Sequence, residues 1–355
     1  MMGGESFGLG SRIMLSNLNM LKRPYKLNFA VTYRCNSRCT TCGIWRRKPS
    51  DELSAEEIEL FSKNNPFFSW LNLTGGEPFL RKDLPEIAAS FAENLSGLCL
   101  LNLTTNGLTP KPIESSMERI MALGIPRLMV VVSLDGCEEV HDRIRGIKGA
   151  WQKALETFRL LKALSENGNL TPFFGYTISR HNLGGFGETV RSAKERIPDL
   201  EPEDFHVNLF HSSPHYYANV GRLPRERVLS EISKIERVRP RLSPNPVSLI
   251  GRGYLRLAKR FVSEGRAPLP CKSLKASLFL DPSGNVYPCT IYGRRIGNVR
   301  DTAYDLSPIL RSEEAKKAME SAGKDCPQCW TPCEAYQAML GNVPRAFLSA
   351  WLTKN

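Results

Sequence analysis

Three cysteines, Cys35, Cys39 and Cys42, stand at C-x3-C-x2-C spacing directly after an apolar run. Thiols this close along a chain in a reducing compartment hold metal. Three thiolates on a four-iron cluster leave one iron open for a further ligand. Structural zinc competes for the same thiols, but it takes four closed ligands, usually from paired C-x2-C units, and no fourth Cys or His lies in this loop. A second group occupies the last part of the chain. Cys271 and Cys289 flank a hairpin-like LFLDPSGNVYPC that carries Gly284, and Cys326, Cys329 and Cys333 follow in CPQCWTPC. Two cysteines beside a hairpin and a distant C-x2-C can converge on one four-thiolate site, iron–sulfur or zinc. Cys99 and Cys137 have no partner at ligand spacing, and Cys99 reads as a core residue.

The segments that must position these thiols repeat one pattern, a short β-branched apolar run followed by an amphipathic stretch. The runs are Leu27 to Tyr33, Leu71 to Thr74, Leu98 to Thr104, Leu128 to Ser133, Phe173 to Thr177 and Phe205 to Phe210. Helical periodicity fills Ser54 to Ser62, Leu84 to Glu93, Ile113 to Leu123, Trp151 to Ser165 and Phe186 to Arg196. Alternating strands and helices predict an α/β fold with a parallel sheet, here a partial (β/α)6 TIM-like barrel with a small C-terminal cysteine-rich iron–sulfur domain. The loops after the six runs read RCNSRCTTC, TGGEP, TTNG, DG, SRHN and HSSPHYY, and a parallel barrel opens them all on one face. The expected divisions are an N-terminal extension (1–26), the barrel (27–221), a helical connector with the proline-rich PRLSPNPVS (222–266), the cysteine-rich domain (267–340) and a tail (341–355).

The 355 residues include 41% apolar and 24% charged side chains, which excludes a disordered or fibrous chain. No apolar stretch approaches the ~18 residues of a membrane span. No secretory signal is evident, so the expected location is cytoplasmic. The excess of 48 basic over 36 acidic residues, +12, is spread along the chain without a basic block. It suits an acidic electron-donor protein better than nucleic acid. A zinc-stabilised basic nucleic-acid-binding module without catalysis is the alternative reading, and it leaves TGGEP and the barrel without a role.

CNSRCTTC after the first strand, TGGEP after the second and SLDG after the fourth resemble the radical S-adenosylmethionine (SAM) superfamily over about residues 27 to 215. The resemblance implies a 4Fe-4S cluster on Cys35, Cys39 and Cys42 whose open iron is chelated by SAM. One electron then cleaves SAM to methionine and a 5'-deoxyadenosyl radical. Gly75, Gly76, Glu77 and Pro78 stand where the family binds the methionine amino group. Ser133 stands where relatives place a hydroxyl on the ribose or carboxylate, Asn106 in TTNG is a further candidate, and Arg145 is a candidate fork for the carboxylate. Many members carry an aromatic residue just before the third cysteine, where this chain has Thr41. The C-terminal pattern resembles the SPASM/twitch extension. Five cysteines fit the truncated twitch form with one auxiliary 4Fe-4S cluster on Cys271, Cys289, Cys326 and Cys329, with Cys333 spare or replacing Cys326.

Three of the five histidines fall near the sixth strand, and His206, His211, His215, Tyr216 and Tyr217 form a cluster there. His211, His215 and Tyr216 are the substrate-side candidates, and His181 has a weaker case. Strand periodicity sends His206 to one face with Asn208 and Phe210, and His211 to the other. The expected function is a radical SAM oxidoreductase that abstracts hydrogen from a small-molecule or peptide substrate, served by a low-potential donor such as flavodoxin or ferredoxin. The first 26 residues hold no extra domain of the kind that binds leader peptides, which weighs slightly against a peptide substrate. The closing AFLSAWLTKN is short and apolar on one face, and it is expected to pack against the barrel in preference to a membrane surface.

Overall fold

The structure is a computed structural model and describes residues 4–48, 51–166, 168–239, 246–322 and 324–352. Helix α1 (Gly4–Asn17) precedes β1 (Lys26–Thr32), α2 (Ala55–Asn64), β2 (Trp70–Gly75), α3 (Leu84–Asn94), β3 (Leu100–Thr105) and α4 (Pro110–Met121). β4 (Arg127–Ser133), α5 (Glu138–Arg145), α6 (Ala150–Ser165), β5 (Leu170–Ile178), α7 (Phe186–Lys194) and β6 (Phe205–Leu209) complete the repeat. Then come α8 (Arg225–Val238), α9 (Pro246–Glu264), β7 (Ser277–Leu280), β8 (Asn285–Tyr287), β9 (Gly297–Asn298), α10 (Leu306–Arg311), α11 (Glu313–Ser321), α12 (Pro332–Leu340) and α13 (Val343–Phe347).

All six expected strands and five expected helices form, with ends shifted by a few residues. The local chemistry explains why. Ser54 and Glu57 make a reciprocal capping box that starts α2. The aromatic side chains of β1, α2 and α3 interlock, with Phe29 and Phe61 each edge-on to Phe91 at 6.4 Å between ring centroids. Strand order is β6-β5-β4-β3-β2-β1-β7-β8-β9, parallel from β6 through β7 and antiparallel beyond. The barrel is open, because β6 ends the sheet and the other side of β1 pairs with β7.

That pairing ties the cysteine-rich region into the barrel sheet. The cysteine-rich region is not attached through the helical connector alone: Lys26 to Phe29 run in register with Ser277 to Leu280, which makes its first strand part of the barrel sheet. The N-terminal extension contributes α1, whose Leu9 and Ile13 line the barrel lumen. A short helix, α5, follows the SLDG turn and ends on Gly146 in the left-handed region (φ 66°). The connector supplies α8 and α9; residues 240–245 of PRLSPNPVS lie outside the described residues. The tail packs on the body through buried Ala346 and Ala350, and the Ala350 carbonyl accepts from Arg256 Nη1 at 3.0 Å. Residues 353–355 also lie outside the described residues.

Candidate active site and auxiliary thiol site

The loop after β1 is pinned on both sides. Arg38 N–H and Thr40 N–H donate to the carbonyls of Arg145 and Ile144 at 2.9 and 2.8 Å, and Gly43 N–H donates to Tyr217 O at 2.7 Å. The loop thus hangs between the end of α5 and the segment after β6. Its three thiols line one end of a cavity of about 800 Å³ that runs through the lumen. Polar groups surround the sulfurs: Ser37 Oγ lies 3.3 Å and Arg145 Nη1 3.6 Å from Cys39 Sγ, and Asn106 Nδ2 lies 3.9 Å from Cys35 Sγ. Burial pushes Cys35 up to about 11 and Cys42 up to about 12. As bare thiols both are therefore protonated at neutral pH, and iron would have to displace their protons.

Gly75 and Gly76 form the cavity wall beside this loop. Gly75 has φ 141°, and a Cβ there would lie 2.1 Å from Thr32 O. A Cβ on Gly76 would lie 2.3 Å from Arg34 O, so only glycine lets the two loops approach. Glu77 turns away from the cavity. Its carboxylate is buried and accepts from Thr105 Oγ1 (2.8 Å), Asn106 N–H (2.7 Å) and Phe79 N–H (3.3 Å). Burial outweighs these bonds and raises it to about 7. Glu77 thereby ties the β2 loop to the β3 loop, and Pro78 opens the one-turn helix Pro78–Leu80 behind it.

Asn106 holds the first loop by donating from Nδ2 to Asn36 Oδ1 at 2.7 Å. Ser133 ends β4 on the cavity wall. Arg145 is partly buried and paired with Asp135, Nη2 to Oδ2 at 2.6 Å, which aims the guanidinium at Cys39. Asp135 is fixed in turn by Thr177 N–H at 2.9 Å. It is the aspartate of the SLDG motif, so the signal for it was in the sequence although it was not singled out.

The second cysteine group divides. Cys271, Cys289, Cys326 and Cys329 line one small cavity of about 150 Å³ together with Trp330 and Glu334. Cys333 lines the lumen instead, where Asn72 Nδ2 lies 3.9 Å from its sulfur. The split arises because Trp330, buried with its N–H on His211 Nε2, separates Cys329 from α12, which starts at Pro332. Burial pushes the Cys289 thiol well above its ordinary range, while Ile291 N–H and Tyr292 N–H donate to its sulfur at 3.4 and 3.2 Å.

Of the substrate-side candidates, His211 and Tyr216 line the lumen and His215 does not. Both ring nitrogens of His211 are taken, Nδ1–H by Leu209 O at 2.8 Å and Nε2 by Trp330 N–H at 2.9 Å. His215 donates from Nε2 to Cys289 O at 3.1 Å, with Nδ1 3.2 Å from Ser213 Oγ. These two histidines brace the small domain against the barrel. Tyr216 reaches the cavity wall with its hydroxyl 3.1 Å from Thr74 Oγ1. His181 sits beside Arg180 at 3.3 Å, outside the cavity lining. His206 lines the lumen as His211 does, tilted against Phe173 with ring centroids 4.3 Å apart and sharing the cavity wall with Asn208 and Phe210. Burial lowers it to about 4, so it is neutral at pH 7. A row of amides also went unread. Asn28, Asn72 and Asn102 are in register on β1, β2 and β3, with Asn102 Nδ2 on Asn72 Oδ1 at 2.6 Å and Asn72 Nδ2 on Asn28 Oδ1 at 3.2 Å. The signal was a repeated triplet, Leu27-Asn28-Phe29, Leu71-Asn72-Leu73 and Leu101-Asn102-Leu103.

Among the described residues no three His, Cys, Asp or Glu side chains converge on a point that could hold a single metal ion. The thiols instead rim two cavities, three around one end of the lumen and four around the smaller one. Soft sulfur ligands spread around a space suit iron–sulfur clusters. Residues 29–193 match the family model of the radical SAM superfamily, and residues 271–334 match that of the SPASM iron–sulfur cluster-binding domain. The chain carries a radical SAM domain followed by a SPASM domain. It is 33% identical over 187 residues to an AdoMet-dependent heme synthase of Methanosarcina barkeri, a match covering 50% of this chain and 49% of that one. The chain thus spans about half the length of this curated relative. It is 27% identical over 329 residues to the mycofactocin maturase MftC of Mycobacterium ulcerans, covering 85% of this chain and 80% of that one. Among solved structures, native anSMEcpe with bound AdoMet superposes with a TM-score of 0.59 at 13% identity, covering 92% of this chain and 99% of that one. A radical SAM domain works with a 4Fe-4S cluster and SAM, and a SPASM domain carries auxiliary iron–sulfur centres. The zinc-stabilised nucleic-acid module is left without support.

Proposed function

We propose that this radical SAM enzyme oxidises a substrate held in the lumen, with Cys35, Cys39 and Cys42 holding the 4Fe-4S cluster and Cys271, Cys289, Cys326 and Cys329 holding one auxiliary 4Fe-4S cluster. When bound, these groups supply one-electron cleavage of SAM, hydrogen-atom abstraction and a site for the substrate's electron. The observation that carries the reading is one cavity: the thiols of the first loop and residues of the small domain, Thr290, Thr331 and Cys333, line the same lumen.

The chain's own groups orient and neutralise. The glycine pair Gly75-Gly76 lets backbone approach a ligand at the cavity wall closely. The Arg145 guanidinium, fixed by Asp135, places a permanent positive charge beside Cys39 and a fork for a carboxylate. Asn106 and Ser133 offer polar groups on the same wall. The lumen below is lined by Met129, Val131 and Phe173, apolar side chains that exclude water from a reactive carbon centre. The maturase relative supports a peptide substrate and the heme synthase a small molecule; either needs a low-potential donor of the flavodoxin or ferredoxin kind.

The test is anaerobic reconstitution followed by dithionite and SAM. The expected result is about eight irons per chain and formation of 5'-deoxyadenosine. Replacing Cys35, Cys39 and Cys42 together by Ala should abolish 5'-deoxyadenosine while about half the iron remains. Persistence of cleavage in that variant, or zinc in place of iron, overturns the proposal.

A further inference from the structure

The end of the lumen remote from the cysteine loop is lined by residues of three helices. Leu9 and Ile13 of α1, Val247 and Ile250 of α9 and Leu340 of α12 line it. Side-chain bonds join two of these helices: Asn17 Nδ2 donates to Leu340 O at 2.6 Å, and Val343 N–H donates to Asn17 Oδ1 at 2.7 Å. The outward sides of these elements are apolar as well. Met14, Leu18 and Met20 are 59 to 61% exposed, and Val343, Phe347 and Leu348 are 48 to 57% exposed. Together with Val247 and Leu249 they make up eight of the twelve large apolar side chains exposed among the described residues. Scattered exposed apolar residues are ordinary, but a concentration on adjoining elements marks a binding face.

The charge around this face is predominantly positive, with Glu5 near the start of α1 and Asp305 beside Arg23 as acidic residues. Residues 8–25 carry Arg12, Lys22 and Arg23 and no Asp or Glu, and residues 335–352 carry Arg345 and no Asp or Glu. Lys22, Arg23 and Arg345 are exposed. Apolar side chains rimmed by cations fit the interface of an anionic bilayer, where the chains enter the headgroup boundary and the cations meet lipid phosphates. A second copy of the chain fits less well, since a two-fold contact would bring both sets of cations together.

We infer that α1 and the segment after α12 form a docking face for an anionic lipid surface. The face needs no membrane span, and no helix among the described residues is long and apolar enough to make one. It is independent of the oxidation proposed above. Because the same helices line the apolar end of the lumen, docking would place that end against the lipid.

The experiment is co-sedimentation of the reconstituted full chain with vesicles of phosphatidylcholine and phosphatidylglycerol in parallel with phosphatidylcholine alone. Expected are partition onto the anionic vesicles and its loss at about 0.5 M salt, where charges are screened within a few ångströms. Met14→Ser/Leu18→Ser and Phe347→Ser/Leu348→Ser should each lower the partition constant about tenfold. Iron content and circular dichroism check that both variants fold, and Leu60→Ser, an exposed apolar residue of α2, serves as a folded control that keeps wild-type partition. Three results would overturn the inference: no partition onto anionic vesicles, equal partition of both double variants, or a concentration-dependent dimer that the substitutions abolish while vesicles are ignored.

Discussion

Glu77→Gln tests how the loop carrying the glycine pair is held. Glu77 is buried and raised from its ordinary 4.5 to about 7, with desolvation dominating over three accepted hydrogen bonds. A carboxyl whose folded value lies above its unfolded one binds more protons when folded. Stability therefore falls as pH rises from about 4.5 to about 7 and is flat above that. At 1.36 kcal/mol per pH unit the ionised, folded state is about 3 kcal/mol worse off than if the group titrated normally. Between pH 5.5 and 8.5 the part of this loss that falls in the window is about 2 kcal/mol. Glutamine keeps the shape but removes the titration. It also turns an amide toward Asn106 N–H, a fixed cost of about 1–3 kcal/mol at every pH. Urea unfolding of both proteins at the two pH values isolates the titration, because the fixed cost cancels in the difference of differences. The wild type should lose about 2 kcal/mol more than the variant on going from pH 5.5 to 8.5. Equal losses, or a larger loss in the variant, would refute the account of Glu77 as a buried carboxylate joining the β2 and β3 loops.

Cys333→Ala should retain the iron and sulfide of both sites, whereas Cys329→Ala should lose about half, since only Cys329 reaches the small cavity; elemental analysis after reconstitution decides. Arg145→Met leaves the Asp135 carboxylate buried with Thr177 N–H and should destabilise by about 3–5 kcal/mol. Asp135→Asn should cost less, because the guanidinium keeps the cluster thiolates as partners; the order of the two urea midpoints is the check.

Much of the barrel was legible because its strands and helices obey simple periods. Each βα unit buries one face against its neighbours, so local pattern and global position agree. The thiol loop was legible from spacing alone. What escaped depended on contacts distant in sequence. Nothing local in SLFL marks Ser277–Leu280 as the partner of β1, and only the tertiary fold joins them. The partners of the histidines were hidden for a related reason. His211 and His215 look available in HSSPHYY, but the backbone groups that occupy them belong to Trp330 and Cys289, more than seventy residues away. Cys333 follows Cys329 closely in sequence, yet the buried Trp330 and the start of α12 send it to a different cavity. The amide row was readable in principle from the repeated Leu-Asn triplet, a polar residue at the same position of three successive strands.

The pairing of β1 with β7 also bears on how the chain is made. Leu27 finds its partner Leu278 about 250 residues later, a contact of high sequence separation. Until that segment leaves the ribosome, β1 is the edge of the sheet, with a row of backbone donors and acceptors open to any other strand. The cysteine loop begins at the end of that edge. On the cluster assignment proposed above, iron reaching Cys35, Cys39 and Cys42 during synthesis would meet a loop whose parent strand is paired on one side only. The final third of the sequence completes the support of the first metal site as well as building the second.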